Sequence, residues 1–219
     1  MPLSVGLDEA GRGAVLGPLV IGCVAANDAD RRWFAKQNVR DSKIVPPDER
    51  TFLAERIRER CWFSLRVCLP IEIDAAVRDR AFTLNGLECS GMAELLKKFR
   101  EQHPKVEARM TVDACSINAE GFRKQLLTAC DWSHDTPLRS WHGADKRDRT
   151  VAAASILAKF ERERLLDEIK ARLETDFGCG YPHDEKTREF VRRADMNSAH
   201  VRWSWKTASS LSSAKRVLS

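Results

Sequence analysis

The sequence predicts an α/β fold with a mixed sheet that carries helices on its faces. Two apolar runs near the N-terminus, residues 3–7 and 19–26, flank a glycine-rich turn, as expected for paired strands. Apolar and polar residues alternate over 63–69 and 108–113, which is the period of half-buried strands. Helical patterns follow these strands, and this alternation is typical of helices packed against a sheet.

Start signals and apolar spacing predict the helices. Proline and two acids at 47–49 begin a helix over residues 47–60. Amphipathic spacing predicts further helices over 84–99 and 119–130. A short strand at 138–141 completes a set of five.

The last predicted helix is the longest. It runs from Thr150, whose hydroxyl is expected to cap it, to about Glu174, and Gly178 and Gly180 are expected to stop it. Residues 198–219 are rich in Ser, Lys and Arg, so we expect partial order at most.

Composition limits the class of protein. The 219 residues suit one main domain, residues 1–175, with a small helical C-terminal appendage over 176–219. The apolar stretch 14–26 is broken by glycine and proline, so no membrane role is expected. Seven cysteines without a CxxC pair indicate reduced thiols and a cytoplasmic protein. A net charge of +5 is compatible with a polyanionic partner, although many basic proteins bind no nucleic acid. The lack of an exposed heptad or apolar stripe favours a monomer.

Four acids occupy positions that are unusual for a plain fold. Asp8 and Glu9 directly follow an apolar strand, Asp113 ends another strand, and Asp145 lies in a loop before the long helix. Neighbouring carboxylates repel, and a divalent cation would relieve the repulsion. The alternative for each acid taken singly is a solvated turn or a helix cap.

Oxygen donors of this type predict Mg²⁺ or Mn²⁺ as the cofactor. Zinc is disfavoured because no histidine belongs to an HxH or HExxH motif and no cysteine pair has ligand spacing. Two such ions bridged by one carboxylate are a standard arrangement for phosphodiester hydrolysis.

The glycine loop Gly11-Arg12-Gly13 is the second candidate site. With Gly17 it misses the G-x-G-x-x-G spacing, and no phosphate-binding G-x-x-x-x-G-K-[ST] motif occurs, so dinucleotide and ATP binding are disfavoured. A bare glycine loop can bring backbone amides against a phosphate or a sugar hydroxyl. A tight hairpin turn is the alternative.

From Gly6 to about Lys206 the chain resembles the ribonuclease HII family. Five segments carry the resemblance in the family's order: the octapeptide Gly6-Leu7-Asp8-Glu9-Ala10-Gly11-Arg12-Gly13, Asp41-Ser42-Lys43, Thr111-Val112-Asp113-Ala114, residues 152–159 with Asp145 fourteen positions before Lys159, and Gly180-Tyr181-Pro182.

This resemblance implies a ribonuclease H-like fold with five mixed strands flanked by helices. Asp8, Glu9, Asp113 and Asp145 would be the catalytic acids and would hold two Mg²⁺ or Mn²⁺ ions. The expected enzyme is an endoribonuclease that hydrolyses the RNA strand of RNA–DNA hybrids. It would also incise 5′ of ribonucleotides embedded in duplex DNA, leaving 5′-phosphate and 3′-hydroxyl ends.

The resemblance also assigns the substrate contacts. The main chain of Gly11-Arg12-Gly13 would contact the ribose 2′-hydroxyl, and Tyr181, the only tyrosine, would stack on the next deoxynucleotide sugar. Lys43 and Lys159 match family lysines near substrate phosphates. The alternatives are core packing for Tyr181 and a helical ion pair with Glu163 for Lys159.

The chain departs from the family wording at residues 44–47 and 160–163. The wording of 84–88 and 202–207 is nearer the archaeal and eukaryotic branch, and no sliding-clamp motif is recognisable. Two other functions share the pattern, a DNA-specific nuclease on the same fold and a non-catalytic nucleic-acid-binding protein. The latter would be expected to lack one of the acids.

Overall fold

The computed structural model describes residues 2–40, 42, 44–79 and 81–217, with side chains as far as residue 212. The chain divides into two compact units, each with its own hydrophobic core. Unit 1 comprises Met1–Ala10, Ile21–Arg66 and Asn85–Phe160, and unit 2 comprises Gly11–Val20, Val67–Leu84 and Glu161–Ser219. The units are interleaved along the chain, and the division into 1–175 and 176–219 stays a prediction.

Five strands among the described residues form one mixed sheet in the order β3-β2-β1-β4-β5. They are β1 (Leu3–Ala10), β2 (Leu19–Ala26), β3 (Trp62–Cys68), β4 (Ala108–Asp113) and β5 (Leu138–Trp141). β4 pairs in parallel with both β1 and β5. The α/β class, the five strands and the pairing of the first two are confirmed.

Helices account for most of the remaining described chain. They are α1 (Asp28–Lys36), α2 (Pro47–Arg60), α3 (Pro70–Arg78), α4 (Thr83–Gln102), α5 (Ala119–Ala129), α6 (Arg149–Leu173), α7 (Glu185–Arg193) and α8 (Lys206–Val217), with a 3₁₀ turn at Ala144–Lys146. The predicted α2, α4, α5 and α6 are confirmed. Within the described residues, no helix combines the length and the apolar character needed to cross a membrane.

The bounds of α6 differ from the predicted ones by one residue at each end, and the predicted cap and stop residues are wrong. The Asp148 side chain accepts the Thr150 amide at 2.8 Å, so Asp148 caps the helix and Thr150 lies inside it. The Thr150 hydroxyl instead donates to the Ser4 hydroxyl at 3.0 Å. The helix ends at Leu173 because Glu174 takes a left-handed conformation, with φ of 49°, before Gly178 is reached.

The core of unit 1 lies where α6 packs directly on the sheet. All eight residues of β2 are buried, and so are the apolar and small side chains over 151–158 of α6. Glycine permits this close approach, since a Cβ atom at Gly6 would lie 2.3 Å from the carbonyl carbon of Thr150. The helix backbone therefore rests on β1 two residues before Asp8.

Unit 2 is organised around a smaller core. Its buried members are Val15, Leu16, Leu166, Phe177, Val191, Val201 and Ala208. Leu16 and Val201 form an antiparallel bridge, so the segment after β1 is held against the segment before α8. Where the sequence predicts only partial order over 198–219, residues 206–217 form α8 and bury Ala208.

Candidate active site

The adjacent acids Asp8 and Glu9 lie near the end of β1, in unit 1. The Asp8 side chain is buried, and its Oδ1 accepts the backbone N–H of Glu9 at 2.8 Å. Ser155 of α6 also hydrogen-bonds to Asp8, and the Ser155 hydroxyl lies 2.9 Å from that of Ser42. Asp8 is therefore held in place by the strand and by the helix packed on it.

The electrostatic environment of Asp8 disfavours its charge. Burial raises the pKa of Asp8 well above its ordinary value, and the charges of Glu9 and Asp113 raise it further. The hydrogen bonds from Ser155 and from the Glu9 amide act in the opposite direction. Asp8 thus interacts with two other acids that the sequence singled out.

Asp113 and Asp145 are joined through a short turn. The parallel register pairs Leu7 with Val112, the residues that precede Asp8 and Asp113, so the two acids lie near the same ends of two neighbouring parallel strands. Asp113 Oδ1 accepts the backbone N–H of Ala144 at 2.9 Å. Asp145, the next residue, is buried in the 3₁₀ turn.

The donor chemistry of this cluster fits a hard divalent cation. The four acids offer only oxygen atoms, and the mutual repulsion at Asp8 is of the kind that a bound cation relieves. Among the residues described, however, no group of three or more Asp, Glu, His or Cys side chains has a metal-binding arrangement. The residues thus have suitable chemistry, whereas the coordination geometry is not formed.

The Gly11-Arg12-Gly13 segment forms a tight turn at the start of unit 2. Gly11 has a φ of +92°, and a Cβ atom there would lie 2.4 Å from Nε of Arg162. The Ala14 amide donates to the Gly11 carbonyl at 3.2 Å. Gly13 is exposed, with open space where a side chain would be. Glycine is thus required at Gly11 by the fold, whereas Gly13 leaves its backbone accessible.

Tyr181 lies half-buried beside the same arginine. The Arg162 guanidinium carbon is 4.8 Å from the centre of the Tyr181 ring. The guanidinium also donates to the carbonyls of Leu16, Pro18 and Cys179 at 3.2–3.3 Å. Arg162 therefore connects the segment after the glycine turn with the segment that carries Tyr181.

Arg162 and Arg202 are the structural residues that sequence reasoning missed. Arg202 is fully buried and donates from Nε to the Gly17 carbonyl at 2.9 Å and from Nη1 to the Arg12 carbonyl at 3.2 Å. Burial lowers the pKa of both guanidinium groups. A signal existed for Arg162, because it stands one helical turn before the buried Leu166, on the face where charge is unusual.

Of the two lysines predicted to lie near phosphates, the structure describes only Lys159. Lys159 is half-buried on α6, and its Nζ donates to the Ser42 carbonyl at a long 3.5 Å. Lys43 and Asp41 lie outside the described residues. Contact of either lysine with a phosphate stays a prediction.

The mixed five-stranded sheet with flanking helices defines a protein of ribonuclease H-like fold, and solved structures share it. A ribonuclease H2 from Pyrococcus horikoshii OT3 matches with a TM-score of 0.82 and 27% identity, over 98% of this chain and 99% of that chain. The RNase HII of Archaeoglobus fulgidus, solved as a complex with PCNA, matches with a TM-score of 0.79 and 33% identity, over 93% and 95%. A Bst-RNase HIII solved with Mn²⁺ shares the fold, with a TM-score of 0.82 at 17% identity over 99% and 71%.

The sequence comparisons narrow this class to one family. The profile named Ribonuclease HII matches residues 5–208. The Ribonuclease HII of Methanothermobacter thermautotrophicus is 35% identical over 210 residues, covering 93% of this chain and 96% of its own. That of Archaeoglobus fulgidus is 36% identical, covering 95% and 96%. The chain belongs to the ribonuclease HII family and is a ribonuclease H, a hydrolase, as the sequence resemblance implies.

Proposed function

We propose that this chain is an endonuclease that hydrolyses the RNA strand of RNA–DNA hybrids and incises duplex DNA 5′ of single embedded ribonucleotides, leaving 5′-phosphate and 3′-hydroxyl ends. The observation that carries the proposal is the buried carboxylate of Asp8: burial raises its pKa, and the charges of Glu9 beside it in β1 and of Asp113 in the adjacent parallel strand β4 raise it further. A structural role alone does not require like charges to be placed beside a buried carboxylate. Family membership supplies the reaction class.

Asp8, Glu9, Asp113 and Asp145 would hold two Mg²⁺ or Mn²⁺ ions. When bound, such ions supply the positive charge that activates a water and stabilises the leaving 3′-oxygen. The protein contributes orientation: Ser155 fixes Asp8, and the Ala144 amide fixes Asp113. No covalent intermediate with the protein is needed.

In this proposal the glycine turn and Tyr181 recognise the ribonucleotide. The exposed backbone around Gly13 offers amides to a 2′-hydroxyl, the one group that distinguishes RNA from DNA at a single position. Tyr181 offers a half-exposed ring, supported by Arg162, to the sugar of the next deoxynucleotide. Lys43 and Lys159 would contribute charge to the phosphates, in keeping with the net charge of +5.

The decisive experiment is cleavage of a labelled DNA duplex that contains one ribonucleotide, beside an all-DNA duplex and a long hybrid, with Mn²⁺, Mg²⁺ or a chelator. We expect metal-dependent incision on the 5′ side of the ribonucleotide and cleavage of the hybrid. Equal cutting of the all-DNA duplex would identify a DNA nuclease instead. Binding without any cutting would identify a nucleic-acid-binding protein.

Variants test the acids separately from the fold. Asp8→Asn and Asp113→Asn remove charge and little volume, so we expect cleavage to fall below detection. Asp8→Asn should also raise the Tm of the metal-free protein, because a repelled buried charge is lost. Asp135→Asn, an exposed position in the same unit, is the matched control. Normal turnover by Asp8→Asn would eliminate the proposed site.

Tyr181→Ala tests recognition. We expect incision at a single ribonucleotide to fall more than cleavage of a long hybrid, in which every sugar carries a 2′-hydroxyl. His183→Ala, at an exposed ring 5.8 Å from Tyr181, controls for general disturbance of the segment. An equal loss on both substrates would assign Tyr181 to packing.

A further inference from the structure

A cleft of about 660 Å³ opens in unit 2, among α3, the second half of α6 and residues 196–203. Large apolar side chains line it and remain exposed: Leu69 is 52%, Ile71 74% and Met196 52% accessible. The volume is that of a typical small-molecule site. Apolar side chains grouped in this way on a water-facing surface usually mark a place where something binds.

The acidic side chains of the cleft are already engaged within the protein. Asp74 accepts the backbone amides of Trp203 and Ser204, at 2.9 and 3.0 Å. Glu168 accepts a hydrogen bond from Arg164 of the same helix. A cationic ligand would therefore have to displace existing bonds.

A basic side chain of the cleft, in contrast, is not engaged by the described residues of the protein. Arg172 of α6 is exposed and has no ion pair or hydrogen bond within the part of the chain that the structure describes. Its charge reaches His200, since burial and then Arg172 lower the pKa of His200. The lowered pKa favours the neutral imidazole, which can donate one hydrogen bond, and both His200 and the guanidinium of Arg172 line the cleft.

We propose that this cleft binds a carboxylate with an apolar body, with the carboxylate at Arg172 and His200 and the body against Leu69 and Ile71. The acids of the cleft are already hydrogen-bonded, which disfavours a cation. The guanidinium of Arg172 favours an anion over a neutral lipid, and the apolar walls favour an anion with an apolar body over a simple one. The site is separate from the acids proposed for cleavage, which all belong to unit 1. Its test is independent of nuclease activity.

Octanoate is the probe, and binding is followed in the full-length protein by ¹H–¹⁵N correlation spectra. The Trp203 indole lines the cleft and donates to the Ser198 carbonyl at 3.2 Å, so its N–H resonance reports occupation. The Trp62 indole, bonded to Gln102 in unit 1, is the internal reference. We expect a saturable shift of Trp203 alone, with octanamide and acetate at least about tenfold weaker.

Substitutions locate the ligand. Arg172→Gln should weaken octanoate about fivefold, as expected for one partly exposed ion pair. Ala75→Phe and Ala199→Leu place bulk in the cleft from exposed positions on two walls, and each should weaken binding at least about tenfold. Arg193→Gln, at an exposed arginine of α7, should change nothing. Equal affinity for octanamide, or unchanged affinity in the Arg172 and Ala75 variants, would overturn the proposal.

Discussion

Replacing Gly6 by alanine should destabilise the protein more than any exposed substitution, because β1 and the start of α6 are in backbone contact. The added Cβ would lie 2.3 Å from the Thr150 carbonyl carbon and 2.4 Å from the Val151 amide nitrogen. Carbon atoms normally approach to about 3.5 Å, so strand and helix would have to separate by about 1 Å. Neither side can yield through a flexible side chain.

The expected loss is at the upper end for overpacking, about 3 kcal/mol, which corresponds to a fall in Tm of about 6 to 12 °C for a chain of this size. Gly13→Ala is the matched control, since open space surrounds its Cβ position and its stability should change by less than about 1 kcal/mol. Urea unfolding followed by circular dichroism measures both. A Gly6→Ala variant within about 1 kcal/mol of the parent would refute the backbone contact.

Three further variants probe unit 2. Arg162→Lys retains the charge but cannot serve three carbonyls and the Tyr181 ring, so unfolding should cost about 2 kcal/mol less, with single-ribonucleotide incision reduced as well. Thr187→Val removes a buried hydroxyl that accepts one hydrogen bond and donates another. The free energy of unfolding, measured by denaturant titration, should fall by about 1–3 kcal/mol. Hydrogen bonds from backbone amides, first that of Cys179, lower the pKa of Asp184, so its stabilisation is present above the unfolded pKa. The stability difference between the parent and Asp184→Asn should therefore begin to shrink as the pH falls below about 4, and it should be lost once the pH is below the lowered pKa of the folded state.

Most strands and the longest helices could be predicted from periodicity, because one face of each is buried. The β2 strand, which is buried throughout, was predicted from its continuous apolar run. Some missed elements carried signals that periodicity does not capture. The α1 helix begins with a capping box in which Asn27 and Asp30 exchange hydrogen bonds, and α7 begins at the capping Asp184. The cap and stop residues predicted for α6 were wrong for a related reason: Asp148 caps the helix in place of Thr150, and Glu174 adopts the left-handed conformation that the sequence favours at Gly178.

Asp8, Glu9 and Asp113 stand out in the sequence because charge at the end of an apolar strand is chemically conspicuous, whereas the grouping of these three acids with Asp145 came from the family resemblance. The order of strands in the sheet could not be obtained from periodicity, and it is this order that brings β1 beside β4 and lets Asp8 interact with Asp113. The contribution of Ser155 depends in turn on α6 lying on β1. Sequence reasoning thus singled out the candidate acids, whose catalytic role stays a prediction, while the spatial relation between Asp8 and Asp113 came from the sheet topology.

The hydrogen bonds that hold the glycine turn and the Tyr181 segment in place could not be predicted from the sequence, for a physical reason. Arg162 and Arg202 hold the glycine turn and its flanks through backbone carbonyls, and every residue type presents a carbonyl. The sequence therefore does not show which residues supply the acceptors, and only the arginine itself can be identified as unusual. Because a guanidinium in a buried site must satisfy several donors at once, the segments that supply those carbonyls are fixed together. In the proposed function the turn distinguishes one hydroxyl, which requires this rigidity, so we expect substitutions at these arginines to alter selectivity between substrates before they abolish cleavage.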